Sequence, residues 1–523
     1  MAVEASQQVL LDTNERLLSR RGGLWLFGVA CVVFLVETCL FRRFFMDDAY
    51  ISFRFVRQLV HGNGLVYNVG ERVEGYSNFL WVMLLTPFEL VGIDLVPVSK
   101  ALGVLLGLLT LWLSGRICRR VSGVGVAPLF LAATGAFALS AQSGLETSLF
   151  TFLLLASACA FVSEEQTGRG VWSGVLFGLL ALTRPEGLLF AVIAAGYRGW
   201  VLLRAGSPVR RNDISRPIAL AVILVPYLVW KLTYYGALIP NTVYAKSLGL
   251  HPRAVLEGLW YLYQSFGTIG GFFVLGVPVV LLLAAGWPRL WADYIMLNLL
   301  VYGAAVAAGG GDWMPTQRFA VHVLPLAYLL VEMGIATLAT LLRPGLWVRL
   351  LLALLICGQA AYLCAGFAEQ RFIVGLGSHE PVPPSPEQVA YLQEHVRPGD
   401  TIAVAEAGRI SYRLPLDVRI VDMVGLTDAH IAHLPARLPG GLFGRGDAFG
   451  KWDVDYVLAQ RPRFIEVSIV SESGDGRVLT QFTGATLLVN DPEFRRRYRP
   501  VRDPAVRGLY VLQDENDVTA TGS

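Results

Sequence analysis

Two adjacent carboxylates, Asp47 and Asp48, are the residues of this sequence whose types and spacing best suit chemistry. One negative charge raises the pKa of the other carboxyl, so the pair could take a proton from a substrate hydroxyl. Carboxylate oxygens also suit a divalent cation (Mg²⁺, Mn²⁺ or Ca²⁺), the only cofactor that the sequence suggests. The structural alternative is a helix start, because aspartate in a first turn is favoured by the helix dipole.

Arginines and other polar side chains recur in further segments of the chain. Guanidinium groups suit phosphate oxygens, and lysine supplies a compact positive charge. Structural alternatives exist, since Arg54 could instead lie against lipid headgroups. Arg184 and Glu186 could pair with each other, because lone charges are costly within a membrane. The candidate substrate-binding residues are Arg54, Arg72, Glu74, Tyr76, Arg184, Glu186, Asn241, Tyr244, Lys246, Asp312, Trp313 and Arg318.

Near the C-terminus, Asp428, His430 and His433 have the residue types of a metal site. Their spacing of two and three residues does not gather them on one face of a helix. We therefore predict no metal site in this segment.

The composition places the candidate residues in a membrane protein. Of 523 residues, 54% are hydrophobic and 16% are charged, whereas soluble domains carry about 25% charged residues. The six cysteines include no Cys-x-x-Cys pair, which argues against a disulfide framework or a zinc site. A net charge of +3 gives no reason to expect a nucleic-acid partner. These features exclude a soluble enzyme, a disordered chain and a disulfide scaffold.

Eleven apolar runs predict a polytopic α-helical membrane protein with about 11 transmembrane helices. Arginines concentrate in alternate loops, which places the N-terminus in the cytoplasm and the C-terminus outside the plasma membrane. The short run 78–91 is read as an interfacial helix, and Pro185 as a break between two spans. The predicted spans are 24–41, 98–115, 126–140, 147–162, 171–182, 188–203, 217–235, 270–285, 292–307, 319–341 and 346–363.

Composition changes near residue 365, which divides the chain into two predicted domains. Residues 1–364 form the transmembrane domain, in which 42–97 is the first outer loop. In 365–523, short apolar strands alternate with helices, which indicates an extracytoplasmic α/β domain.

In this topology the polar clusters gather at the outer membrane surface. A transporter would place its ionisable groups near the midplane, with repeat symmetry between its halves. The arrangement therefore favours an enzyme that acts on a lipid-linked substrate at the membrane surface.

The stretch DDAYISFRFVRQLVHGNGLVYNVGERVEGYSNFLW, residues 47–81, resembles the first outer loop of the GT-C polyprenyl-phosphate-sugar glycosyltransferases. Within that superfamily it is similar to the terminal β-(1→2) arabinofuranosyltransferase group of mycobacteria and its bacterial relatives. The segments GLETSLF, LTRPEG, PNTVYAK, GGDWMPTQRF and VDMVGLTDAHIA follow in the same order as in that group. The likeness therefore extends to about residue 435.

The resemblance implies transfer of one sugar from a decaprenyl- or undecaprenyl-phosphate donor outside the membrane. The first-loop aspartate of the family maps onto Asp47 or Asp48 and would deprotonate or orient the acceptor hydroxyl. Basic residues would hold the donor phosphate, which is the leaving group. Gln317 stands where relatives often carry a second basic residue, which weakens a basic pair there. We predict transfer of a sugar, expected to be arabinofuranose, to a cell-envelope glycan or glycolipid.

Three alternative functions remain open at this point. A transferase of the same superfamily could use another polyprenyl-phosphate sugar, such as mannose or aminoarabinose, and modify lipid or protein. A transporter of lipid or sugar would show essential ionisable groups at the midplane. A non-catalytic scaffold would bind glycan through residues 365–523 alone.

Overall fold

The structure is a computed structural model, and its described residues fall into two compact units. It describes residues 20–121, 125–246, 252–268, 289–312, 314, 317–341, 350, 353–354, 356–366, 385–437, 450–472, 474 and 477–513. The unit that we call the helical unit lies within Met1–Phe45, Val96–Tyr227 and Pro252–Gly375. The second, the sheet unit, lies within Met46–Leu95, Leu228–His251 and Leu376–Ser523.

Fourteen helices with bounds inside the described residues precede Pro386, and the described residues 356–366 are helical as well. They are α1 (Arg20–Leu40), α2 (Asp47–Val60), α3 (Phe79–Leu90), α4 (Leu95–Val121), α5 (Ala127–Ala132), α6 (Gly135–Gln142), α7 (Thr147–Thr167), α8 (Trp172–Thr183), α9 (Gly187–Ala205), α10 (Arg211–Tyr235), α11 (Asn241–Lys246), α12 (Pro252–Thr268), α13 (Arg289–Ala308) and α14 (Arg318–Leu341).

Seven of the described helices are long and apolar enough to cross a membrane, namely α1, α4, α7, α9, α10, α13 and α14. Each offers at least 18 residues, which at 1.5 Å per residue approaches the thickness of the hydrocarbon core. The chain is therefore a polytopic α-helical membrane protein, as the sequence predicted.

The described residues do not reproduce the predicted count of eleven spans. The run 126–140 is not one span but the short helices α5 and α6, because Thr134 between them is extended. The hydroxyl of Thr134 donates to the Phe130 carbonyl at 2.8 Å. The run 171–182 forms the 12-residue helix α8. The run 270–285 lies outside the described residues, and 346–363 is described only in part.

The structure confirms the predicted break at Pro185 and gives a helix too short to span at 78–91, whose interfacial position stays a prediction. Helix α8 ends at Thr183 and α9 begins at Gly187, with Pro185 between them. The run 78–91 becomes α3, whose 12 residues are too few to span a bilayer as a helix.

Glu332 of α14 is fully buried and closes the start of α5. Its carboxylate accepts hydrogen bonds from the backbone N–H groups of Gly125, Val126 and Ala127 at 2.5, 2.6 and 3.0 Å. Val126 is the N-cap of α5 and Ala127 its first residue, and their N–H groups have no partner within the helix. The carboxylate satisfies both from a neighbouring helix, together with the N–H of Gly125 just before them. A buried charge inside an apolar helix is thereby balanced by helix-end donors.

The sheet unit contains a five-stranded sheet in the order β2-β1-β3-β7-β6 and a separate β4-β5 hairpin. Strand β1 pairs in parallel with both β2 and β3, and Ile402 lies opposite Ile420 and Phe464. Strand β7 is antiparallel to both of its neighbours, β3 and β6. Its strands are β1 (Thr401–Val404), β2 (Arg419–Asp422), β3 (Phe464–Glu466), β4 (Ile469–Glu472), β5 (Val478–Thr480), β6 (Tyr498–Pro500) and β7 (Leu509–Leu512). Its helices are α15 (Pro386–His395), α16 (Arg409–Arg413), α17 (Ala429–Ala432), α18 (Val454–Ala459), α19 (Thr483–Asn490) and α20 (Pro492–Arg497), with a 3₁₀ turn at Pro504–Val506.

The sheet unit also includes α2 and α3 from the predicted first outer loop. The ring of Tyr412 in α16 lies 5.5 Å from that of Tyr50 and 5.6 Å from that of Phe53, both in α2. The two compact units therefore do not follow the predicted domain boundary at residue 365, because α2 buries its aromatic face against the C-terminal residues.

Candidate functional site

Asp47 is the first residue of α2, and its carboxylate is fixed by the loop that follows β1. Its Oδ2 accepts from the backbone N–H of Gly408 at 2.7 Å, and its Oδ1 accepts from that of Arg409 at 2.8 Å. A Cβ at position 408 would overlap both the backbone oxygen and the carboxylate of Asp47. A glycine at this position is therefore what lets the two segments approach so closely.

The surroundings of Asp47 make its carboxyl group a weaker acid. Burial raises the pKa of Asp47 to about 6, and the negative charge of Asp48 adds to the rise. The two backbone N–H bonds act in the opposite direction. Within the described residues, the Asp48 carboxylate makes no hydrogen bond or ion pair, so only Asp47 has a fixed orientation.

Two further carboxylates, Glu406 and Glu466, lie at the carboxyl ends of the parallel strands. Burial, with the negative charges of Asp47 and Glu466, holds the pKa of Glu406 well above its usual range. Burial raises the pKa of Glu466 to about 7, although the N–H groups of Ala405 and Glu406 oppose this. The Ser468 hydroxyl donates to Glu406 Oε1 at 3.1 Å.

Our reading of the sequence missed Glu406 and Glu466. The signal was present, because Glu466 ends a buried strand and Glu406 comes two residues after another, and parallel strands bring their carboxyl ends to one sheet edge. Among the described residues, no group of three or more His, Cys, Asp or Glu side chains is arranged to hold a metal ion. Both oxygens of Asp47 are engaged by N–H donors, so the divalent cation at Asp47 and Asp48 stays a prediction.

Arg54 of α2 is fully buried and binds backbone carbonyls, not an open surface. Its Nε donates to the Tyr67 carbonyl at 2.9 Å, and its Nη2 to the Val418 carbonyl at 2.8 Å. Its Nη1 donates to the carbonyl of Ser411. The structure therefore corrects the expectation that Arg54 contacts phosphate or lipid headgroups. Its N–H groups bind backbone carbonyls and so cross-link separate segments of the sheet unit.

Glu74 is also engaged within the sheet unit. Its carboxylate lies 2.8 Å from Nζ of Lys231, and both side chains are buried. Arg72, in contrast, is exposed, and its guanidinium lies 4.9 Å from the ring centroid of Tyr234. Sequence reasoning missed Lys231, although a lysine within an apolar run was a usable signal.

Tyr76 and the candidate residues of α11 make packing contacts and hydrogen bonds within the sheet unit. Tyr76 is buried, with its ring 4.7 Å from that of Phe55. The Asn241 side-chain amide donates to the carbonyls of Gly425 and Leu426 at 2.9 and 3.0 Å. The ring centroid of Tyr244 lies 4.4 Å from that of His433, with the ring planes tilted by 32°. Lys246, the other candidate of α11, is half-buried.

In the helical unit, Arg184 lies at the break between α8 and α9. Its guanidinium lies 2.5 Å from Glu146 Oε1 and 2.9 Å from Glu186 Oε1. Burial opposes its charge, but the carboxylates of Glu186 and Glu146 outweigh this and hold the pKa of Arg184 above its usual range. Glu146, in the GLETSLF segment, is a member of this group that our list of candidates omitted.

Asp312 and Arg318 form a two-pronged ion pair at the start of α14. The guanidinium Nε lies 2.8 Å from Asp312 Oδ2, and Nη2 lies 3.2 Å from Oδ1. Gln317 has a positive backbone φ of 49°, which residues other than glycine rarely adopt. Trp313 lies outside the described residues.

The two arginines of the helical unit belong to one cluster. The guanidinium carbons of Arg184 and Arg318 each lie 5.5 Å from the ring centroid of Phe319. The structure thus brings together Arg184, Glu186, Asp312 and Arg318 in the helical unit. The other described candidates belong to the sheet unit.

Comparison with known proteins gives relatives for about half of the chain. A curated terminal β-(1→2)-arabinofuranosyltransferase of Mycobacterium tuberculosis is 31% identical over 286 residues, covering 51% of this chain and 44% of that protein. Its namesake from Corynebacterium glutamicum is 28% identical over 359 residues, covering 56% and 48%. The chain therefore spans less than half the length of these relatives. The resemblance indicated by the motifs is confirmed.

Two further comparisons concern the C-terminal residues and the fold. A family model described as a domain of unknown function, DUF8728, matches residues 378–518. The crystal structure of ArnT from Cupriavidus metallidurans bound to undecaprenyl phosphate aligns with a TM-score of 0.51. The two are 15% identical, and the alignment covers 77% of this chain and 86% of ArnT. The chain therefore shares the fold of ArnT.

Proposed function

We propose that the chain is a membrane glycosyltransferase that moves a sugar from a polyprenyl-phosphate donor to a cell-envelope glycan or glycolipid. The sugar is arabinofuranose, and transfer takes place at the outer face of the plasma membrane. The names of the curated relatives support the activity and the sugar. The undecaprenyl phosphate bound to the ArnT structure supports a lipid-linked donor. Mannose or aminoarabinose on the same lipid carrier is the alternative donor.

The observation that carries the proposal is the fixed, weakly acidic carboxylate of Asp47. A general base works best when it is held in place and its pKa lies near the working pH. Two backbone N–H groups hold Asp47, and burial raises its pKa to about 6. Each carboxylate oxygen keeps a lone pair for an incoming hydroxyl. We therefore assign the base to Asp47 and the tuning of its pKa to Asp48.

The reaction needs little more than this base and a stabilised leaving group. Asp47 takes the proton of the acceptor hydroxyl while that oxygen attacks the anomeric carbon of the donor sugar. The bond from the anomeric carbon to the phosphate oxygen breaks, and the lipid phosphate leaves with the electron pair. The configuration at the anomeric carbon is inverted.

Within the helical unit, we assign to Arg184 and Arg318 the binding of an anionic phosphate of the lipid-linked donor. Each is already paired with carboxylates, but a guanidinium has five N–H donors and each uses only part of them. Charge that develops on a phosphate is stabilised most strongly by donors that are fixed beforehand. The ion pairs with Glu146, Glu186 and Asp312 provide that fixation.

The test is transfer of radiolabel by the full chain purified in detergent. Decaprenyl-phosphoryl-arabinofuranose and a short arabinan serve as substrates for wild type, Asp47→Asn and Asp48→Asn. We expect Asp47→Asn to lower kcat by about 10²–10⁴-fold, the contribution of a positioned base. Asp48→Asn is the matched control and keeps most of the activity.

The pH profile separates the two aspartates. Because Asp47 must be ionised, kcat/KM of the wild type rises with pH through about 6. Asp48→Asn removes a negative charge that raises the pKa of Asp47, so this limb moves to lower pH. Absence of transfer by wild type from arabinose, mannose and aminoarabinose donors alike would refute the proposed activity.

A further inference from the structure

Three polar atoms of the Arg184 cluster are buried without a hydrogen-bond partner among the described residues. They are Arg184 Nε, Glu186 Oε2 and His322 Nε2. Arg184 is 6% exposed, and His322 is not exposed at all. Nearly all buried polar groups of folded proteins have a partner, so three such atoms in one cluster indicate a polar ligand.

The ring of His322 is held in one orientation. Its Nδ1 lies 2.9 Å from the hydroxyl of Tyr302. The ring centroid lies 4.3 Å from that of Phe150 and 6.0 Å from that of Phe319. When Tyr302 donates to Nδ1, the proton of the neutral ring resides on Nε2, which is then a donor. Tyr302 thus acts as a positioning residue for a donor that no neighbour uses.

Phe319 connects this histidine to the two arginines. The same ring that lies 6.0 Å from His322 lies 5.5 Å from the guanidinium carbons of Arg184 and Arg318. Two of the three unpartnered atoms, Arg184 Nε and His322 Nε2, are donors. A ligand that satisfies both donors next to two positive charges carries anionic oxygens.

We propose that His322, oriented by Tyr302, donates through Nε2 to a phosphate oxygen of the lipid-linked donor, next to the guanidinium of Arg184. The proposal rests on the proposed function and adds a phosphate-binding residue to it. Glu186 Oε2, the third unpartnered atom, accepts a hydrogen bond from a hydroxyl group of the same ligand.

The test measures binding and not turnover. The full chain in detergent is titrated with undecaprenyl phosphate, with the uncharged alcohol undecaprenol and with phosphatidic acid, and tryptophan fluorescence reports the Kd. His322→Phe keeps an aromatic ring against Phe150 but removes the donor. We expect this variant to raise the Kd for undecaprenyl phosphate about tenfold, as for one charge-assisted hydrogen bond. The Kd for undecaprenol stays unchanged.

Two further variants complete the design. Tyr302→Phe releases the ring and raises the same Kd by a smaller factor, which gives a second reading where His322→Phe does not fold. His395→Phe, in the sheet unit, is the matched histidine control and leaves the Kd unchanged. Thermal unfolding of each variant shows whether it is folded.

The outcomes separate this proposal from the proposed function. A wild type that binds undecaprenyl phosphate no better than undecaprenol contradicts the proposed donor itself. A preference for the phosphate that both His322→Phe and Tyr302→Phe retain overturns only the role of His322, and a water molecule then satisfies its Nε2. Equal binding of phosphatidic acid overturns it as well, since the site would then serve general phospholipid headgroups.

Discussion

Replacement of Arg54 by methionine tests whether this arginine is a cross-link or a phosphate ligand. Methionine keeps an unbranched apolar side chain but donates nothing. The carbonyls of Ser411 and Val418 therefore lose their donor, and that of Tyr67 keeps only Gln58 Nε2 at 3.3 Å. Hydrogen bonds to charged groups contribute about 1.5–3 kcal/mol each. Three of them give about 4.5–9 kcal/mol, a large share of the roughly 5–15 kcal/mol by which folded domains are stable.

The assay is thermal unfolding of the full chain in detergent, followed by donor binding at a temperature where the variant is folded. We expect Arg54→Met to lower the unfolding midpoint strongly. The control is Arg72→Met, which removes an exposed arginine that stacks on Tyr234 and costs about 0.5–1 kcal/mol. An Arg54→Met protein that unfolds at the wild-type temperature but binds the donor weakly would refute the cross-link and restore the phosphate role.

Three further predictions concern single residues. In Gly408→Ala, the added Cβ displaces the Asp47 carboxylate, so kcat in the transfer assay should fall about 10- to 100-fold. In the control Gly199→Ala, the added Cβ meets no neighbouring atom, and kcat should stay unchanged. Glu332→Gln replaces a charged acceptor of three N–H groups, so calorimetry should show a loss of about 1.5–3 kcal/mol; an unchanged midpoint would contradict the capping role. The folded pKa of Glu466, about 7, lies above its unfolded value of about 4.3, so the folded state holds the proton more tightly and stability falls as pH rises through this interval. The unfolding midpoint of wild type should therefore fall more between pH 5 and 8 than that of Glu466→Gln, and parallel curves would count against this.

Much of the membrane architecture follows from local signals in the sequence. Apolar runs of about 18 residues identified the seven long helices, because crossing hydrocarbon requires that length. Pro185 marked the end of α8, since proline cannot continue the backbone hydrogen bonds. The run 126–140 misled, because hydropathy does not register that the Thr134 hydroxyl competes for a backbone carbonyl.

The candidate site was harder to predict, because its contacts join residues far apart in the chain. An arginine on α2 has the same sequence signature whether it binds a phosphate or the carbonyls of a segment more than 350 residues away. The orientation of Asp47 likewise depends on Gly408 and Arg409. Glu406 and Glu466 could have been predicted from the sequence, since Glu466 ends an apolar strand and Glu406 comes two residues after one.

The sheet unit is built from three separated stretches of chain, and this constrains how the protein is made. Helix α2 emerges from the ribosome long before α16, whose loop supplies the N–H groups for Asp47. The buried partners of Arg54 are also synthesised late. Until then, α2 carries an unsatisfied arginine and an exposed aromatic face in a chain already entering the membrane. The proposed base can therefore be fixed only after residues 408 and 409 have been synthesised, and a chain truncated before them lacks the N–H donors that orient Asp47.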